Sequence, residues 1–194
     1  EKTRILPMLN LTPSSRVLDA GCGVGRWCKP VLDAGATYYG TDFSQSLIDT
    51  AITTYESYDS AGFQVLSAEK LNFDLIETEE KFTHAIVAGV IMYLNDDDLS
   101  QFLRGLATCM AENSLLYIRE PVALSQRLTL KEHWSDDLHS VYNAIYRTQT
   151  ELVNSFDEAL IKNGFSIKFD DNLFDEDGLN NRKETIQRFY ILER

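Results

Sequence analysis

Residues Val17–Gly25 read V-L-D-A-G-C-G-V-G, a short apolar run followed at once by three alternating glycines. The run suits a buried strand. The glycines let the backbone turn sharply and let a ligand approach without Cβ clashes. A helix is expected to begin near Arg26 or Trp27, because Pro30 is tolerated only in a first turn, where N–H groups have no intrahelical partner. Such a helix start turns unpaired N–H groups toward a ligand. A second apolar run, Tyr38–Thr41, ends at Asp42. A carboxylate at that strand tip can accept both hydroxyls of a ribose. Strand, glycine loop, helix, strand and acid together form a nucleoside-binding pattern. The dinucleotide fingerprint G-x-G-x-x-G is not met, since Arg26 stands at the third glycine position. A phosphate-binding P-loop is excluded, because no G-K-[ST] follows.

Further along, short apolar runs alternate with helix-period segments. Arg16–Ala20, Tyr38–Thr41, Phe63–Ser67, His84–Ala88 and Leu115–Ile118 suit parallel strands covered on both faces. Ser44–Tyr55 carries Leu47, Ile48, Ala51, Ile52 and Tyr55 on one helical stripe. Asn95 is placed to cap a helix with Asp96–Asp98 in its first turn and Leu99, Phe102, Leu103, Leu106 and Met110 on its buried face. Thr148 and Glu151 form a capping-box pair, and Gly164 supplies the stop. This alternation predicts a doubly wound, mostly parallel α/β sheet. Phe165–Phe169 and Arg188–Leu192 have no helical segment between them and are expected to pair antiparallel. Residues 122–147 interrupt the pattern with His133, Trp134, His139, Tyr142 and Tyr146. They read as an insertion, a lid over an acceptor pocket, within one domain spanning 1–194.

The net charge of −12 disfavours nucleic acid and anionic membranes as partners. No apolar run approaches the roughly 18 residues of a bilayer span. No secretory signal opens the sequence, which does not begin with Met; a trimmed or excised domain is expected. Cys22, Cys28 and Cys109 are expected to be free thiols in a reducing cytoplasm, and no metal site is expected from their spacing.

On these motifs, residues 16–122 resemble the conserved half of the class I S-adenosylmethionine-dependent methyltransferases, and the tail fits their reversed final strand. The resemblance implies a Rossmann-like seven-stranded sheet of order 3-2-1-4-5-7-6 with the last strand antiparallel and helices on both faces. It implies S-adenosylmethionine as cofactor and S-adenosylhomocysteine as product. The residues it assigns to the cofactor are Asp19, Gly21, Cys22, Gly23 and Arg26 around the glycine loop, Asp42 and Phe43 after the second strand, Ser67, Ala68 and Glu69 after the third, and Ala88 and Gly89 at the fourth. Ser67 departs from the family, which commonly has Asp there to read the adenine amino group. A neutral hydroxyl is a weaker acceptor, and Glu69 is the substitute at hand.

Methyl transfer is an in-line displacement that depends mainly on orientation, with a base needed for some acceptors. The candidate catalytic residues are Glu120 as base or orienter, Tyr93 after strand four, and His139 in the insertion. The acceptor class stays open. A small-molecule or sugar-like oxygen or nitrogen leads, with a protein or peptide amine and a non-catalytic S-adenosylmethionine-binding partner as alternatives.

Overall fold

The computed structural model describes residues 1–135, 140–174 and 182–194. In chain order the elements are α1 (Lys2–Leu9), β1 (Arg16–Ala20), α2 (Cys28–Asp33), β2 (Thr37–Asp42), α3 (Gln45–Tyr55), β3 (Ala61–Val65) and β4 (Phe82–Ala88). They continue with α4 (Asp96–Cys109), β5 (Met110–Ala123), β6 (Leu128–Ser135), β7 (Ser140–Tyr146), α5 (Gln149–Ala159), β8 (Ser166–Asn172) and β9 (Thr185–Glu193). Seven strands form one sheet in the order β3-β2-β1-β4-β5-β9-β8. The neighbours from β3 to β5 pair parallel, while β9 runs antiparallel to both β5 and β8. This is the expected doubly wound sheet with a reversed last strand. Its final numbers shift from 7-6 to 9-8 because β6 and β7 form a separate two-stranded hairpin inside residues 122–147.

The continuous apolar character of the central strands has a direct cause: successive side chains feed two cores. Leu18, Ala85, Val87, Leu116 and Ile118 meet Leu99, Phe102, Leu103 and Leu106 of α4 and Leu152 and Phe156 of α5. Val17, Ile86 and Tyr117 face the other way, onto Ile5 and Leu9 of α1, Cys28 and Val31 of α2 and Ile48 of α3. The α3 stripe is narrower than expected. Ile48 and Ala51 are buried, whereas Leu47 and Ile52 are exposed. Helix α1 has no counterpart in the sequence expectations; burial of Ile5 and Leu9 carries the helix past Pro7. Helix α2 begins at Cys28, slightly later than expected, which leaves Pro30 in its first turn.

Caps follow their expected chemistry. The Asn95 side chain accepts from the Asp98 N–H. At α5 both halves of the Thr148–Glu151 capping box are formed, and Gly164 adopts a left-handed conformation after the following 3₁₀ turn. Cys22, Cys28 and Cys109 are free and buried. Among the described residues no helix is long and apolar enough to cross a membrane.

One helix contact reaches toward the site. Gly105 of α4 lies directly against the backbone that follows β3, and a Cβ there would stand 1.6 Å from the Leu71 carbonyl oxygen. That backbone carries residues 67–69. Gly105→Ala should therefore lower stability by about 1–3 kcal/mol through overpacking. Urea unfolding measures this, and a wild-type midpoint would mean that the contact yields without cost.

Candidate active site

The carboxyl ends of β1, β2, β3 and β4 surround a cavity of about 580 Å³. Gly21 contributes from the glycine loop, Asp42 and Phe43 from the end of β2, Leu66–Glu69 from after β3, and Gly89, Val90, Tyr93 and Leu94 from after β4. This is where open α/β sheets place ligands, beside the reversal in strand order.

The glycine loop is tied to β2, because the Gly21 and Cys22 N–H groups donate to the Thr41 carbonyl at 2.7 and 2.9 Å. Gly21 has φ +80°, and a Cβ on it would meet a Val90 methyl at 2.3 Å. The loop can therefore pass under the 89–94 segment only with hydrogen at this position. Asp42 is 7% exposed. Its Oδ2 accepts from the Gly23 N–H and its Oδ1 from the Ser44 N–H, both at 3.0 Å. Each oxygen keeps a further lone pair for a ligand. Phe43, next to it, is 76% exposed and presents its ring at the cavity. The Ser67 hydroxyl donates to Glu69 Oε1 at 2.6 Å, so the two residues form one polar unit on the cavity wall.

The remaining expected site residues lie elsewhere. Asp19 is buried behind the loop, where the Tyr38 hydroxyl donates to its Oδ2 at 2.6 Å. Burial raises the Asp19 pKa to about 7, against the lowering effect of the Tyr38 bond. Cys22 packs inward, and burial pushes its thiol well above the usual range. Arg26 is turned to Glu1, which it meets at 2.5 Å, and its guanidinium lies over Trp27. Gly23 supplies its N–H to Asp42, and Ala88 lines a second cavity. His139 lies outside the described residues.

Glu120 needs a different account from the one its sequence position invites. It is 1% exposed, and its carboxylate accepts from the N–H groups of Val90, Ile91 and Met92 at 2.7, 2.8 and 3.2 Å. With both oxygens engaged away from the cavity, it orients backbone instead of facing an acceptor. Burial raises its pKa, against the lowering pull of these N–H groups and of Arg119. Arg147, the last residue of the insertion, is also 2% exposed and structural. It donates to the carbonyls of Ile91 and Leu94 at 3.1 and 2.7 Å and pairs with Asp96 at 2.7 Å. Tyr93 emerges between these anchors, 55% exposed, and its phenol pKa is raised by burial and by nearby Glu120.

The second cavity, about 210 Å³, shares Gly89 and Tyr93 with the first. Arg119, Tyr146, Arg182, Thr185 and Gln187 contribute its polar lining. Thr185 and Gln187 are absent from the sequence expectations. They share one face of β9 with Phe189 and Ile191, so that face turns from apolar to polar toward the site. This break in an otherwise apolar alternation was the available signal.

Residues 17–113 match the family model described as "Methyltransferase domain". The chain belongs to this family, and its kind is the class I, S-adenosylmethionine-dependent one. A ubiquinone biosynthesis O-methyltransferase of Bradyrhizobium diazoefficiens is 27% identical over 143 residues, 71% of this chain and 49% of the relative. A magnesium-protoporphyrin O-methyltransferase of Synechocystis sp. is 29% identical over 112 residues, 58% of this chain and 47% of the relative. The matched regions thus span about half or less of these relatives' length. Among solved structures, a Burkholderia thailandensis 1,6-didemethyltoxoflavin-N1-methyltransferase bound to S-adenosylhomocysteine aligns over 100% of this chain and 76% of its own, with TM-score 0.75 and 13% identity. A Methanosarcina mazei S-adenosylmethionine-dependent methyltransferase aligns over 98% of this chain and 96% of its own, with TM-score 0.75 and 18% identity. At such identities the two structures speak for the fold.

Two measurements check the buried acids. Folding raises the Asp19 pKa from 3.8 to about 7, so the folded chain keeps a proton that the unfolded chain releases between those values. The stabilisation is full below about pH 4 and is lost as pH rises through about 7. Asp19→Asn should flatten that decline in urea midpoints, and an unchanged slope would refute the shift. Glu120→Ala leaves three N–H groups without their acceptor and should lower stability by about 1–3 kcal/mol, again read from urea unfolding. Wild-type stability would return Glu120 to the list of candidate bases.

Proposed function

We propose that this chain transfers the methyl group of S-adenosylmethionine to an oxygen or nitrogen of a small-molecule acceptor. The carrying observation is Asp42, a buried carboxylate fixed by two backbone N–H groups at the wall of a 580 Å³ cavity. That volume lies within the roughly 300–1,000 Å³ of small-molecule sites. Asp42 is set to hold the ribose hydroxyls, Phe43 to cover a flat ring, and the Ser67–Glu69 pair to read the base edge. Gly21 and Gly89 allow close backbone approach. Asp19, Cys22, Gly23, Arg26 and Ala88 act from behind or beside this wall.

When bound, S-adenosylmethionine supplies a methyl group already activated on a sulfonium. The protein's part is then orientation and exclusion of water. Tyr93, whose phenol pKa is raised by burial, stands between the two cavities to position an acceptor atom. Glu120 holds the backbone on which Tyr93 stands. The β6–β7 hairpin, seated against Met92 through Ala144 and Tyr146, serves as the cover on the acceptor side. His139 carries no step in this reading. The relatives' printed names favour a small organic acceptor and an oxygen atom. A cationic peptide fits less well, because the described lining of the adjoining cavity includes two arginines and no carboxylate.

Calorimetric titration with S-adenosylmethionine tests the cofactor site. Asp42→Ala should weaken binding at least tenfold, about 1.4 kcal/mol, with the chain still folded by circular dichroism. Unchanged affinity would remove the ribose assignment. Binding of NAD in place of S-adenosylmethionine would overturn the reading itself. Release of S-adenosylhomocysteine across a panel of phenols, hydroxy acids and amines then reports catalysis.

A further inference from the structure

We infer that the acceptor carries an acidic head group, a carboxylate, and that the second cavity holds it between Arg119 and Arg182. The inference rests on the methyl-transfer reading above and specifies its substrate class. The cavity is set apart by its charge: in a chain of net charge −12, its described lining brings two guanidiniums together with Tyr93, Tyr146, Thr185 and Gln187. Arg119 is held in place, its Nε 3.3 Å from Glu1 Oε1 and its Nη1 donating to Gln187 Oε1 at 3.3 Å. The same Glu1 carboxylate also pairs with Arg26, so one negative charge is shared by two guanidiniums. Arg182 is less well satisfied. Its Nε is buried without a hydrogen-bond partner, and Glu184 Oε2 lies 3.8 Å away on a side chain that is 61% exposed.

Arg182 lines the cavity alongside Arg119, and a bound carboxylate supplies the planar, two-oxygen acceptor that a guanidinium fork fits. The tyrosines add neutral donors. Any tyrosine phenol is protonated near neutral pH, and burial raises the pKa of both Tyr93 and Tyr146 further. Size limits the occupant. About 210 Å³ is smaller than the roughly 300 Å³ at which whole-ligand sites begin, so the cavity takes a head group only. Because Gly89 and Tyr93 wall both cavities, an acceptor anchored there extends its remaining atoms toward the cofactor side.

The test uses near-isosteric probes, 4-hydroxybenzoate and 4-hydroxybenzamide, titrated calorimetrically into the full chain with and without saturating S-adenosylhomocysteine. The acid should bind at least tenfold more tightly than the amide. Arg182→Met should reduce that preference below twofold while leaving S-adenosylhomocysteine affinity within twofold of wild type. Arg182→Lys, which keeps the charge, should retain part of the preference, and thermal melts of both variants verify folding. Equal affinity for acid and amide, or no binding of the acid, overturns the inference. So does an Arg182→Met variant that weakens S-adenosylhomocysteine while keeping the acid preference. If S-adenosylhomocysteine itself fails to bind, the methyl-transfer reading fails, and the acid–amide comparison without it still decides the head-group site.

Discussion

A single turn of backbone, residues 90–94, separates the two cavities, and buried charges of opposite sign hold it. Glu120 takes the N–H groups at its start, while Arg147 takes the carbonyls of Ile91 and Leu94. An isolated carboxylate or guanidinium at 1–2% exposure would be strongly unfavourable. Here each charge is matched to the polar ends of one short 3₁₀ segment, so burial favours one backbone geometry. Val90, Tyr93 and Leu94 reach the larger cavity from that geometry, and Met92 meets the hairpin. The position of Tyr93 is therefore set by two residues that face neither cavity.

The same arrangement joins distant parts of the chain. Glu120 comes from the end of β5, Arg147 follows β7, and Asp96 opens α4. Arg147 reaches Asp96 as well as the turn, so hairpin, helix start and cavity wall share one set of hydrogen bonds. The hairpin's own apolar contact with this region is small, centred on Ala123, Ala144 and Tyr146. Polar bonds at its base thus tie it to the 90–94 turn.

How far the sequence spoke depended on the kind of signal. Strands covered on both faces leave continuous apolar runs, and β1, β2 and β4 were readable from them, as was the reversed final strand. Caps were readable because Asn95 and the Thr148–Glu151 pair act locally. Asp42 and the glycine loop were legible as a pattern, since their chemistry depends on fixed spacing along one βαβ unit. Glu120 was not. A carboxylate at a strand end looks the same in sequence whether it faces a ligand or turns inward onto N–H groups thirty residues earlier. The hairpin's form was hidden because mixed polar and aromatic residues show neither period clearly. The meeting of Arg119 with Arg182 and Gln187 is a product of antiparallel register between β5 and β9, which no local motif announces.

Gly105 packs against the Leu71 carbonyl, at the end of the backbone segment that carries the Ser67–Glu69 pair. Any side chain there would act on the cavity wall as a wedge, displacing it without touching the Ser67–Glu69 pair. In a survey of natural or laboratory variants, position 105 would then group with the lining of the larger cavity by phenotype while mapping to a helix interior. The wall of the larger cavity is thus open to change from behind, through the thickness of one helix.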